Sequence, residues 1–388
     1  MSKITFCKEE LERYSRHLII PEFNIAGQRK LKSAKVLVVG SGGLGSPLLL
    51  YLAAAGVGTI GIVDFDVVDD SNLQRQVLFT KSDVGKPKVE AARDRIKALN
   101  PYIEVETFNV MLNKDNALEI IKEYDLVADG TDNFPTRYLV NDACVLLNKV
   151  TVYASIYRFE GQASVFNFLR DDGTRGPNYR DLFPEPPPPG LVPSCAEGGV
   201  IGILPGILGS LQANEVIKVL AEIGNPLDGR LFIFDAASFE TRVLKVSKNP
   251  KNPLNGDNPT QKELIDYEQF CGLKTTTRNS EEVVKSIDVF KLKSMIESKD
   301  DFQLIDVREP FEYEIANLNG DLMPKGSINK FVEKIAKDKK VVIHCRSGQR
   351  SADVILDLEE KYGYTNLYNL TGGILAWAKN VDVNMAQY

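Results

Sequence analysis

The sequence predicts two α/β domains in tandem: a larger one built on a parallel sheet that meets a glycine-rich turn, and a smaller one behind it. Three observations carry this. At 388 residues the chain has room for two or three domains of about 150 residues. Short β-branched runs alternate with apolar helical segments in both halves, the pattern of strands joined by crossover helices. Between the halves, GLKTTTRNSEE (272–282) is polar without apolar periodicity and reads as a linker. The expected bounds are 1–272 and 284–388, with 273–283 joining them.

Taken in order, KVLVVG from Lys35 is a strand that meets glycines, and Leu44 to Ala55 is an apolar helix. TIGIVDFD (59–66) is the next strand, completing a β-α-β unit with a right-handed parallel crossover. DLVADGTDN (125–133) is a later strand of the same sheet that ends in a polar loop. RDLFPEPPPPGLVPSCAEGG (180–199) holds four consecutive prolines and is too long for an ordinary connection, so it reads as a functional loop. ILPGILGSLQANEVIKVLAEIG is a buried helix, and RLFIFDAASFETRVLKV is a hairpin closing the first domain. Beyond the linker, DVFKLKSMIE, FQLIDV, KKVVIHC, RSADVILDLEEKYG and LYNLTGG read as helix, strand, strand, helix and turn.

Composition narrows the function classes. With 43% hydrophobic and 26% charged residues, the chain is folded rather than disordered. Its first segment, MSKITFCKEELERYSRHL, is charged, and no apolar run of membrane-spanning length follows, so a cytoplasmic protein is expected. A net charge of −6 supplies no basic field for nucleic acid. Five scattered cysteines, Cys7, Cys144, Cys195, Cys271 and Cys345, form no Cys-x-x-Cys pair. That excludes a disulfide scaffold and a tetracysteine zinc site, leaving reactive thiols.

Gly40, Gly42 and Gly45 fit G-x-G-x-x-G between a strand and a helix, and Asp64 stands 24 residues after Gly40, where a carboxylate accepts ribose hydroxyls. This leaves open a nicotinamide or flavin enzyme and an ATP-using one. Arg75, Lys86 and Lys88 cluster in the polar stretch that follows, more positive charge than a dinucleotide needs and suited to a triphosphate. Asp132, just after a strand, is placed to hold Mg²⁺ between phosphates.

GSGGLGSP, DFD, SNLQRQ, VGKPKVEAA, DGTDNFPTRYLVND, EGQ, SCAEGGV and LPGILGSLQANEVIK, in this order, closely resemble the MoeB/ThiF branch of the ubiquitin-activating enzyme superfamily over residues 8–270. The resemblance implies a Rossmann-like, ATP-binding adenylation domain acting on the terminal Gly-Gly carboxylate of a ubiquitin-like β-grasp carrier protein. By motif, Gly42 and Gly43 would line the nucleotide, and Asp64 would hold the ribose. Asn72 would position the α-phosphate, Arg75 and Lys88 would neutralise phosphates, and Asp132 would hold Mg²⁺. Arg16 matches an arginine that the family inserts into the partner subunit's site, implying a homodimer. Cys195 matches a cysteine that can link covalently to the activated carrier, a need that differs among members. Where relatives carry two Cys-x-x-Cys pairs, this chain has Asn178, Asp181, Asn252 and Asn255, a set that Zn²⁺ does not prefer. No structural zinc is expected, with packing or hydrogen bonds taking its place.

The second half centres on Cys345, at the end of an apolar strand and flanked by Arg346 and Arg350. Loop N–H groups, a helix N-terminus and two guanidinium groups are expected to favour the thiolate. With IDVREPFEY before it and TGGILAWA after, residues 284–384 are similar to a rhodanese domain. The similarity implies a persulfide on Cys345 within the loop Cys345, Arg346, Ser347, Gly348, Gln349 and Arg350, and a structural role for Asp306 and Arg308. The family's Gly-His-Ile reads Asn317-Leu318-Asn319 here, where a different turn is expected. A cysteine phosphatase loop would place five residues between cysteine and arginine; only four intervene.

Together the two halves are expected to adenylate a sulfur carrier and convert it to a thiocarboxylate, with sulfur from a cysteine desulfurase or thiosulfate. Molybdopterin, thiamin, tRNA and amino-acid pathways all stay open as its destination. The alternatives are a silent carrier-binding module, or adenylation of another peptide end without sulfur transfer.

Overall fold

A computed structural model of the protein describes residues 4–188, 198–272 and 284–388. The chain divides into two compact units, residues 1–276 and 277–388.

The first unit is built on one sheet. Its strands are β1 (Lys35–Val39), β2 (Thr59–Val63), β3 (Glu104–Phe108), β4 (Leu126–Asp129), β5 (Val150–Tyr157), β6 (Glu160–Phe166), β7 (Arg230–Asp235) and β8 (Glu240–Lys245). They lie in the order β3-β2-β1-β4-β5-β6-β7-β8. The first five run parallel, and β6, β7 and β8 are added antiparallel. Side chains of β1 alternate between two cores. Val36 and Val38 pack with Leu48, Leu52 and Val216, while Leu37 and Val39 pack with Tyr138, Val140 and Tyr179. A strand covered on both faces has no solvent side to carry polar residues, which explains the unbroken apolar run. The helix Gly45–Ala55 stops at Gly56, whose φ of +82° is a left-handed cap. Going out from β1, the sheet is extended to one side by β2 and to the other by β4. That reversal opens a crevice at the carboxyl ends of β1 and β4.

The second unit holds β9 (Ser286–Ile287), β10 (Phe302–Asp306), β11 (Asp321–Leu322), β12 (Lys340–His344) and β13 (Leu367–Leu370). Their order is β11-β10-β12-β13-β9, and all pairs are parallel. Val341 and Ile343 enter one apolar cluster and Val342 enters the other, so this sheet is also covered on both faces. LYNL, read from sequence as part of a turn, is strand β13. Asn319 adopts φ +57°, and Asn317 Oδ1 accepts its N–H at 3.1 Å, so asparagines make the local turn there. Among the described residues no helix is long and apolar enough to cross a membrane.

Candidate functional site

In the first unit, a cavity of about 350 Å³ occupies the crevice, and Gly42, Gly43, Asp64, Asn72, Arg75, Lys88 and Asp132 all line it. The glycine turn is held by backbone geometry. Gly40 has φ +88°, and a Cβ there would stand 3.1 Å from Gly130 O, whereas one on Gly45 would stand 2.1 Å from Gly40 O. These two glycines let the loop close on the helix, while Gly42 and Gly43 face the cavity.

Asp64 follows β2 and braces the loop. Its Oδ2 accepts both the Ser41 N–H and the Ser41 hydroxyl at 2.8 Å, and its Oδ1 accepts the Asp66 N–H at 3.0 Å. Lys88 opens the helix Lys88–Leu99 and is only 5% exposed, with Nζ 2.9 Å from Asp66 Oδ2. A buried ammonium held by one carboxylate is a strong site for a further anion. Asp66 also lines the cavity, and the sequence reading gave it no role, although the DFD motif contains it. Gln76 was likewise unassigned. It is 4% exposed, lines the cavity, and leaves its buried Oε1 without a hydrogen-bond partner among the described residues. Such an atom on a cavity wall suits a polar ligand.

The wall after β4 is built on a buried carboxylate. Asp129 Oδ1 accepts the Thr131 N–H at 3.0 Å and the Thr131 hydroxyl at 2.6 Å, and Arg137 Nη2 donates to Thr131 O at 3.0 Å. Burial raises the Asp129 pKa, opposed by Arg137. This network shapes the turn that presents Asp132, which is exposed. Arg16 is exposed on the helix Ser15–Leu18 and is not among the lining residues. Cys195 lies outside the described residues.

Asn178, Asp181, Asn252 and Asn255 come together. Asn178 Nδ2 donates to Asn255 Oδ1 at 2.9 Å, and Asn252 Nδ2 donates to Asp181 Oδ1 at 2.7 Å and Asn178 Oδ1 at 3.2 Å. Asn178 and Asn252 are fully buried, and their amides are used on one another.

In the second unit, Cys345 follows β12 with no exposed surface and belongs to an apolar cluster with Ile305, Val307 and Ile343. The Gly348 N–H donates to Sγ at 3.1 Å. Gly348 has φ +98°, which only glycine adopts freely. Ser351 Oγ stands 3.4 Å from the sulfur, yet its one proton has a closer acceptor in Asn369 Oδ1 at 2.6 Å. The two guanidinium groups expected to charge this loop each have a partner. Arg350 makes a bidentate pair with Glu312, 2.7 Å on both arms, and Arg346 Nε donates to Tyr388 O at 2.6 Å. Glu312 and Tyr388 were missed from sequence. Behind the loop, Arg308 grips Asp306 through Nε and Nη2, and neither side chain is exposed. Burial pushes the other thiols Cys144 and Cys271 up to about 12 and about 11.

These two sites can be set beside known proteins. The model of the ThiF family matches residues 14–254, and that of the rhodanese-like domain matches residues 289–380. The "Probable adenylyltransferase/sulfurtransferase MoeZ" of Mycobacterium tuberculosis is 50% identical over 384 residues, covering 98% of this chain and 96% of its own. The "Sulfur carrier protein adenylyltransferase" of Thermus thermophilus is 57% identical over 267 residues, 69% of this chain and 98% of its own. Among solved structures, E. coli MccB crystallised with MccA-N7isoASN superposes with a TM-score of 0.55 at 23% identity, covering 63% of this chain and 74% of its own.

Proposed function

The chain belongs to the ThiF family and carries a rhodanese-like domain behind it, and on that premise we propose that it activates and then sulfurates a ubiquitin-like sulfur carrier ending in Gly-Gly. An adenylyltransferase and a sulfurtransferase are joined in one chain, as in its full-length relative. The observation that carries the reading is the convergence of Asp64, Asn72, Arg75, Lys88, Asp132 and the Gly42–Gly43 turn on one cavity. A carboxylate that attacks the α-phosphate of ATP approaches a polyanion, so the work is neutralisation and in-line positioning rather than proton transfer. Lys88 and Arg75 take the phosphate charge, Asp64 holds the ribose, and Asn72 positions the α-phosphate. Asp132 is the residue to hold Mg²⁺, which supplies Lewis-acid neutralisation when bound. Arg16, outside its own subunit's cavity, acts in the site of a second copy in a homodimer.

Attack forms the acyl-phosphate bond and releases pyrophosphate. The Cys345 persulfide, loaded by a sulfane donor such as thiosulfate or a desulfurase, then attacks the acyl carbon. The carbon–sulfur bond forms, AMP leaves, and an acyl disulfide remains on Cys345. A thiol from outside the chain must cleave that disulfide, forming a new disulfide with Cys345, to free the thiocarboxylate. The proposed division of labour is residues 1–272 for adenylation and 284–388 for sulfur, with 273–283 as a tether that raises effective concentration. The test is ATP–pyrophosphate exchange with each Gly-Gly carrier of the same genome, followed by mass spectrometry for the thiocarboxylate. Exchange stimulated by one carrier is expected; stimulation by none sinks the reading.

A further inference from the structure

The helix Gly373–Asn380 holds the Cys345 loop from one side. Its first turn donates from Ile374 N to Cys345 O at 3.0 Å and from Leu375 N to Arg346 O at 3.1 Å. After the helix the chain turns back, with Asp382 N on Trp377 O and Met385 N on Asp382 O, and returns to the same loop at Tyr388. There the Tyr388 main-chain oxygen takes the Arg346 Nε–H at 2.6 Å, and the phenol is hydrogen-bonded to Arg308 Nη1. Its ring centroid stands 5.8 Å from the guanidinium carbons of both Arg308 and Arg346.

We propose that Tyr388 occupies a peptide subsite beside Cys345, and that the incoming chain end of the sulfur acceptor displaces it. The inference rests on the reading of Cys345 as the sulfur carrier. Two observations lead to it. A sulfur with no exposed surface cannot be reached by an acyl carbon until something beside it moves. The donor next to it in sequence, Arg346 Nε, is already engaged by a main-chain oxygen, the kind of oxygen an extended Gly-Gly end would bring. The segment is also cheap to lift. Val383 is 77% exposed, and Asn384, Ala386 and Gln387 are exposed too, so few buried contacts oppose local opening. Gly372 and Gly373, both at positive φ, keep the helix against the loop when Tyr388 leaves.

The test uses the full chain, Tyr388→Ala, and a version ending at Asp382. Alkylation of Cys345 by iodoacetamide is followed by peptide mass spectrometry, and binding of a synthetic peptide ending in Gly-Gly is measured on the same proteins. If the segment covers the site in nine molecules of ten, the version ending at Asp382 alkylates about tenfold faster and binds the peptide about tenfold tighter, since one open population limits both. Tyr388→Ala, which loses the phenol and ring contacts but keeps the main-chain oxygen, moves both in the same direction by less. Equal alkylation rates in all three proteins overturn the proposal. So does faster alkylation without tighter peptide binding, or with loss of cooperative melting of the second unit, because Tyr388 would then be a structural strut. Loading of wild-type Cys345 with one sulfur atom from thiosulfate checks the parent reading separately: its failure removes the sulfur carrier whatever Tyr388 does.

Discussion

Both candidate sites sit at the carboxyl ends of parallel strands, one after β1 and β4 and the other after β12, but they treat their cations differently. In the first unit Lys88 and Arg75 stand on a cavity wall, with Lys88 leaning on the half-exposed Asp66 carboxylate. In the second, Arg308 and Arg350 are locked to Asp306 and Glu312, and the Cys345 side chain is sealed. The contrast fits what each site is proposed to handle. A polyphosphate needs charge that it can reach, whereas a persulfide must be shielded from water and stray thiols until its acceptor arrives.

The deepest cut through that contrast is Cys345→Ser. It is expected to abolish thiocarboxylate formation, a loss of about 10³-fold or more, or roughly 4 kcal/mol in the barrier, while ATP–pyrophosphate exchange stays at the wild-type rate. Both activities falling together would show that the two sites are not chemically independent. The reciprocal change, Lys88→Ala, should lower exchange by about 10²-fold to 10³-fold and leave thiosulfate loading of Cys345 unchanged. Arg75→Ala is expected to act in the same direction with a smaller loss, because its guanidinium is less buried.

How far each site was legible follows the same line. Gly42, Gly43, Asn72, Arg75 and Lys88 lie in short motifs whose spacing along the chain is also their spacing in space. Asp64 and Asp132 end strands that pair with or neighbour β1, so a βαβ reading already brings them to one edge. Glu312 meets Arg350 across 38 residues and Tyr388 meets Arg346 across 42. Nothing in the local pattern announces such contacts, because they depend on how a helix and a returning segment pack. The same limit applies around Cys345: the two flanking arginines are visible in sequence, but the groups that pair with them are not. Asp66 was hidden differently, since a carboxylate in a proposed phosphate site looks unfavourable until Lys88 is seen to be buried against it.

The second unit should also be the more sensitive to acid. Burial pushes His344 down from 6.5 to about 4, against the opposing charge of Asp306. Between those values the unfolded chain binds a proton that the folded one does not. Stability therefore rises with pH across that window and is lost as pH falls from about 6.5 toward 4, by roughly 3 kcal/mol in all. Thermal melting of the full chain from pH 7 to pH 4 should show the transition of the second unit moving down more than that of the first. His344→Gln should flatten the difference. An unchanged slope in that variant would assign the acid sensitivity to other groups.

The smallest expected effects test how the first unit does without thiolate ligands. Asn252 Nδ2 bridges Asp181 and Asn178, while its Oδ1 accepts the Leu254 N–H. Asn252→Ala therefore breaks three hydrogen bonds and leaves the Leu254 N–H unmatched, while Asp181 Oδ1 and Asn178 Oδ1 keep the Asn249 and Arg180 N–H groups. A cost of about 2 kcal/mol is expected, read as a lower denaturation midpoint with exchange activity retained at low temperature. Incubation with a strong chelator should leave the melting temperature of the first unit unchanged, because three amides and one carboxylate that hydrogen-bond one another are a poor ligand set for zinc. A chelator-induced drop, reversed by added zinc, would show that these four residues hold a metal after all. It would also make the first unit, rather than the second, the one whose fold depends on a bound cation.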